Sequence, residues 1–129
     1  MSAPTIKSLL QDDGNETAQR IGFLLLNEFS LLAFASAIEP LRSANRQSGR
    51  ELYQWVIAST DGTPAAASNG VEVASDGDPS VLQDCRMVFV CAGVNVRGNT
   101  DRNTLNLVRR LDRNGAVIGA ICTGTYVMA

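Results

Sequence analysis

The stretch RIGFLLLNEFSLLAFASAIEPLRSANRQSG, residues 20–49, carries two periodicities in succession. Its first seven residues are almost continuously apolar, the pattern of a parallel strand buried on both faces. From Ser30 to about Gln47, Leu31, Phe34, Ala35, Ile38 and Leu41 recur at helical spacing. Ser30 is placed to cap that helix and Gly49 to end it. Pro40, inside the run, lacks a backbone donor and predicts a kink or a break there. A buried strand passing directly into an amphipathic helix is the opening half of a βα unit.

Working outward, the alternation repeats. Residues 53–60 (YQWVIAST) are rich in aromatic and β-branched types and stop at Asp61-Gly62, a turn signal. Asn69-Gly70, within residues 64–74, marks a small antiparallel hairpin flap. After Asp78-Pro79, residues 79–83 form a short helix at best, and MVFVCA (87–92) is a second buried strand running into Gly93. A helix is expected over 101–113, with Leu105, Val108 and Leu111 inward and Asn114-Gly115 closing it. AVIGAI (116–121) is then a final strand. The expected class is α/β, an open, doubly wound, mostly parallel sheet. Ligands in such sheets sit beyond the carboxyl ends of the strands. Three places meet that rule and could line one crevice: Asn27 to Phe29, Gly93 to Asn95, and Cys122 to Gly124.

With 129 residues, 45% of them hydrophobic and 19% charged, the chain is a single globular domain at most. Residues 1–19 are mostly polar and are expected to form a flexible leader outside the fold, with the domain spanning 20–129. They lack the flank, apolar stretch and cleavage site of a secretory signal. No apolar run approaches the roughly 20 residues that span a bilayer. A cytoplasmic location without membrane contact is therefore expected. A net charge of -2 supplies no basic footprint for a phosphate backbone, so these residues by themselves are not expected to bind DNA. Cys85, Cys91 and Cys122 form no C-x-x-C pair, their number is odd and histidine is absent, which argues against a disulfide framework and a zinc site. No metal or other cofactor is expected. Thr125 to Ala129 begin an apolar helix without a stop signal, so the sequence reads as part of a longer protein, truncated just after the last strand.

Ala120-Ile121-Cys122-Thr123-Gly124 has the small-x-nucleophile-x-Gly form of a nucleophile elbow, a sharp strand-to-helix turn that lifts the nucleophile into the crevice. A helix starting at Thr123 would favour the thiolate, and the amides of Thr123 and of Gly93 or Val94 could meet a developing oxyanion. A cysteine hydrolase also needs a base, usually histidine, and this chain has none. Spacing leaves two readings of Cys122 open, a reactive thiol and a structural cysteine at a tight turn. Cys91, in mid-strand, reads as core and Cys85 as a peripheral thiol. Arg109, Arg110 and Arg113 fall in the last turns of a helix, where cations complement the dipole on a solvated face. Glu39, Arg42 and Arg46 have ion-pair spacing. Phe29, Trp55 and Tyr126 could form a cation-binding aromatic box, against which stands ordinary core packing.

From Ile21 to Ala129 the chain resembles the amino-terminal domain of GlxA-type transcriptional regulators, AraC-family proteins with a PfpI-like (class I glutamine amidotransferase-like, flavodoxin-like) domain ahead of a DNA-binding domain. The matching segments are GFLLLNEFSLLAFASAIEPLRSAN (22–45), GRELYQW (49–55), SNG (68–70), VFVCAGV (88–94) and GAICTGTYVMA (119–129). In texture it is similar to regulators of choline, glycine betaine and carnitine catabolism, with arginine-responsive relatives nearby. PfpI-like enzymes pair the elbow cysteine with an acid at the start of the first helix and often with a following histidine. Here the acidic position falls on Ala33, and Glu28 and Glu39 are both displaced from it. The resemblance therefore implies a degenerate, non-catalytic elbow at Cys122. It implies a crevice of Cys122, Thr123, Gly93, Val94 and Phe29 that binds a small nitrogen metabolite, a homodimer, and DNA contact only through a carboxyl-terminal helix-turn-helix domain absent from this chain. The competing expectation is a cysteine-dependent amidase or deglycase with its base beyond residue 129.

Overall fold

The computed structural model describes residues 17–122. Its core is a four-stranded, wholly parallel sheet of β1 (Gln19–Leu25), β2 (Tyr53–Ser59), β5 (Met87–Cys91) and β6 (Val117–Ile121), in the order β2-β1-β5-β6. The hairpin strands β3 (Ala65–Ala66) and β4 (Glu72–Val73) pair antiparallel, with Gly70 at φ 87° in the turn. The helices are α1 (Leu31–Ser48) and α2 (Arg102–Arg113), with a single 3-10 turn at Pro79–Leu82.

Alternate residues of β1 bury on opposite faces of the sheet, as the continuous apolar run requires. Phe23 and Leu25 pack with Phe29, Phe34 and Cys91 on the side of α1. Leu24 and Leu26 pack with Val56, Leu82, Val88, Val90 and Leu111 on the side of the 3-10 turn and α2. With helical elements on both faces the sheet is doubly wound, as expected. Phe23, Leu24, Leu25 and Leu26 are all no more than 1% exposed, and each such side chain contributes about 1.5–3 kcal/mol of hydrophobic burial. Gly22 is required for this packing: a Cβ there would lie 2.7 Å from Leu82 Cδ2 and 3.0 Å from Cys85 Sγ.

Helix α1 begins as its sequence signals, the Ala33 amide donating to Ser30 Oγ at 3.2 Å, and ends at left-handed Gly49, φ 67°. It runs unbroken through Pro40, against the expectation of a break. Pro40 and Ser36, whose carbonyl loses its usual donor, are both exposed, so water can satisfy that carbonyl. Asn45 fastens the end of α1 to the sheet. Its Nδ2 donates to the Tyr53 carbonyl, and its Oδ1 accepts from the amides of Leu52 and Tyr53. Edge strand β2 is covered by residues 76 and 77: the Ile57 amide donates to Asp76 Oδ2 and the Ser59 amide to the Gly77 carbonyl.

Two boundaries and one burial differ from the sequence reading. Gln19, assigned to the leader, is the first residue of β1, paired with Tyr53 and buried. Its polar side chain hides the strand start in sequence, whereas in the fold it accepts from Arg86 at 3.3 Å. Cys85, read as peripheral, lies in the core beside Leu82 and Val88, and burial raises its thiol pKa. The rest of the leader, residues 1–16, falls outside the described residues, as do Thr123 and Gly124 of the elbow, Tyr126 and the start of the next helix. Among the described residues no helix is long and apolar enough to cross a membrane.

Candidate functional site

The parallel register brings three strand ends together. Leu25 pairs with Cys91 and Cys91 with Ile121, so the segments that follow, residues 26–30, 92–95 and 122, emerge side by side at the carboxyl edge. Backbone bonds tie the first two segments: Leu26 N–H donates to Cys91 O, Ser30 N–H to Ala92 O, and Val94 N–H to Glu28 O at 3.1 Å. The hairpin joins them, with Glu28 N–H donating to Ala66 O and Ser68 N–H to Phe29 O. Gly93 is needed for so close an approach, since a Cβ there would stand 2.5 Å from the Glu28 carbonyl oxygen and 2.8 Å from the Ser30 nitrogen. Those are backbone atoms that cannot swing aside.

Backbone strain concentrates at this edge. The non-glycine residues with positive φ among the described residues are Glu28 (63°), Asn95 (55°) and Cys122 (58°), one in each of the three segments. A non-glycine residue in the left-handed region costs roughly 1 kcal/mol or more, and such residues gather where a site needs particular side chains at particular angles. For Cys122 the left-handed φ is the sharp turn that the elbow pattern implies, and the residue is exposed. Asn95 packs its amide against Gly98, where a Cβ would come within 2.6 Å of Nδ2. Asn99 draws the pieces together, its Nδ2 donating to Glu28 Oε2 at 2.9 Å and to Asn95 O at 3.2 Å.

The structure places the expected site residues unevenly. Cys122 and Val94 are exposed and Gly93 is half-buried, all at the carboxyl edge. Phe29 is fully buried, its ring edge-on to Phe34 at 6.0 Å between centroids, so the loop it sits on, and not its ring, belongs to the crevice wall. That burial also leaves no aromatic box: Trp55 stands in β2 opposite Ile21 and is half-buried against the core. The Val94 amide is spent on Glu28 O and is not an oxyanion donor. Ala33 is half-buried in the first turn of α1, which contains no acid. Glu39 pairs with Arg42 on the exposed side of α1, away from the edge, and Arg46 takes no part in that pair. Arg109, Arg110 and Arg113 are exposed on α2. Burial pushes the Cys91 thiol up to about 12, an inert core cysteine.

Sequence reasoning missed the Glu28–Asn99 hydrogen bond. Seventy-one residues separate the two, and only the turn of the loop after β5 brings them within reach. The available signal was an acid two residues before a helix cap, directly after a buried strand. A second concavity, of about 450 Å³, lies between α2 and the 3-10 turn, lined by Asp78, Asp101, Thr104, Arg110 and Leu24. It does not include Cys122. Asp78 and Asp101 are both committed there as caps, accepting from the amides of Ser80 and Thr104, which lowers their carboxyl pKa values.

No protein-family model matches the chain. It is 43% identical over 117 residues to the HTH-type transcriptional regulator GbdR of Pseudomonas aeruginosa, a match covering 89% of this chain and 31% of that protein. It is 42% identical over 116 residues to the HTH-type transcriptional regulator GlxA of Rhizobium meliloti, covering 89% and 36% respectively. The chain thus spans about a third of the length of the curated relatives it matches. Among solved structures, an AraC family transcriptional regulator from Pseudomonas putida superposes with a TM-score of 0.74 at 25% identity, covering 85% of this chain and 59% of the other. A DJ-1 superfamily protein from Agrobacterium tumefaciens superposes with a TM-score of 0.66 at 22% identity, over 85% of this chain and 56% of the other, a likeness of fold alone. Over the matched residues, the chain belongs to the GlxA-type, AraC-family transcriptional regulators, in their DJ-1/PfpI-like domain.

Proposed function

We propose that this chain is the effector-sensing domain of a transcription regulator, in which the crevice bounded by Cys122, Thr123, Gly93, Val94 and the Phe29 loop binds a small nitrogen metabolite. The observation that carries this reading is the 43% identity to an HTH-type regulator together with Ala33 where a PfpI-like enzyme has its acid. A thiol without a base or an orienting acid is a weak catalyst, whereas a strained, hydrogen-bonded pocket rim needs neither to bind a ligand. Choline, glycine betaine, carnitine and arginine are the metabolites that the subgroup texture favours. DNA is bound through a helix-turn-helix domain outside these residues, the regulator acts in the cytoplasm as a homodimer, and the domain is not an enzyme. The domain takes residues 20–129 as part of a larger unit, with residues 1–19 as a leader apart from Gln19.

The effector acts by binding one state of the regulator more tightly than the other, and a 100-fold preference corresponds to about 2.7 kcal/mol of coupling. The test is a DNA-binding titration of the protein expressed from its complete reading frame, with and without each metabolite. At least one metabolite is expected to shift the apparent Kd for promoter DNA. Specific DNA binding that none of them alters would contradict the effector reading. The exposed, left-handed Cys122 is the observation that favours the alternative, a cysteine-dependent amidase or deglycase. Turnover of amide or glyoxal-type substrates that vanishes in Cys122→Ala would establish that alternative.

A further inference from the structure

We infer that Glu28 is the specificity-determining residue of this crevice and that it reads a cationic nitrogen on the ligand. The inference rests on the effector-sensing reading of the site and adds to it the charge of the group bound and the residue that recognises it.

Glu28 occupies a costly position for its type. At φ 63°, glycine, asparagine or aspartate is the cheaper choice, and a glutamate there is retained for its side chain. That side chain is half-buried at the carboxyl edge of the sheet. One carboxylate oxygen, Oε2, accepts from Asn99 Nδ2 at 2.9 Å, a neutral donor that orients the group without cancelling its charge. Among the described residues no arginine or lysine pairs with it; the ion pair present, Arg42 with Glu39, lies on the exposed side of α1. A carboxylate partly withdrawn from water and held by an amide alone is short of a positive partner. Asn99 fixes the carboxylate relative to the loop after β5 through its second bond to Asn95 O. Glu28 and Cys122 follow strands that flank β5 on either side, two strand spacings or about 10 Å apart, the length of a small amine metabolite. A ligand with its cationic nitrogen at Glu28 would extend across the end of β5, over Gly93, toward Cys122.

The inference separates from a purely structural role for the Glu28–Asn99 bond. Glu28→Gln keeps an oxygen that can accept from Asn99 and removes only the charge. The experiment is calorimetric titration of the protein expressed from its complete reading frame, wild type and Glu28→Gln, with choline, glycine betaine, carnitine and arginine. The uncharged isosteres 3,3-dimethylbutanol and 3,3-dimethylbutanoate, which replace the trimethylammonium nitrogen by carbon, are titrated in parallel. The wild type is expected to bind at least one cationic metabolite, and for choline or glycine betaine at least tenfold tighter than the isostere. Glu28→Gln should lose at least tenfold of that affinity, and with it the discrimination, while its thermal midpoint stays within about 2 °C. Equal affinity of wild type and Glu28→Gln for the cationic ligand overturns the inference and leaves the effector reading intact. Binding of none of the cationic metabolites by the wild type overturns both.

Discussion

Cys91 and Cys122 end neighbouring strands one register step apart, yet they occupy opposite kinds of ground. Cys91 closes β5 inside the core, fully buried among Phe23, Leu25 and Phe34, with its thiol raised to about 12 by burial. Cys122 follows β6 into the open, at a left-handed φ, in line with Glu28 and Asn95. The floor of the molecule is packed and unstrained, whereas the rim is strained, polar and hydrogen-bonded loop to loop. Strain at the rim persists because the floor holds it, as the close contact of Gly93 with the Glu28 loop requires.

The sharpest way to break that comparison is thiol labelling with a disulfide reagent at pH 8. Cys122 is expected to react freely, while Cys85 and Cys91 wait for unfolding and react about a thousandfold more slowly or less. Comparable rates for all three thiols would mean that the floor is not packed. Next in size, Phe29→Ala removes a fully buried ring from beneath the rim and should cost about 3–5 kcal/mol in urea denaturation. A loss under about 1 kcal/mol would place the ring in the crevice instead. Gly93→Ala tests the rim from above. Its Cβ collides with backbone, so about 1–3 kcal/mol of stability should go, together with ligand binding.

A smaller effect comes from Ser30→Ala, which deletes the cap on the Ala33 amide and should cost about 1 kcal/mol without changing thiol reactivity. The acid limb of stability is a final, modest test. Asp61, Asp78 and Asp101 have folded pKa values lowered chiefly by hydrogen bonds from Thr63, Ser80 and Thr104. Their contribution is therefore full above the unfolded carboxyl value near 4 and is lost as pH falls through the lowered folded values. Thermal midpoints should drop between pH 5 and pH 2, and Asp101→Asn should flatten part of that drop.

Much of this architecture was legible in residues 20–49, because a buried parallel strand and a capped amphipathic helix leave unmistakable periodicities. The elbow at Cys122 was legible too, from small residues at fixed offsets. What escaped reading depends on tertiary position. Pro40 passes without a break because its face is exposed, and Cys85 is core because Gly22 leaves room for it. The ring of Phe29 turns inward and its loop outward, a distinction that side-chain type does not encode. The Glu28–Asn99 bond needed the folded loop after β5 before either residue had a partner.

The central claim, that the Cys122 crevice senses a ligand and does not turn one over, is tested most directly with Cys122→Ser. Serine keeps the size of the side chain and the strain of the turn while removing the thiol as nucleophile. Effector-dependent DNA binding by the protein expressed from its complete reading frame should persist in that variant, with the effector Kd altered by less than about tenfold, or 1.4 kcal/mol. Abolition of the response in Cys122→Ser, coupled to consumption of the effector by the wild type, would contradict it.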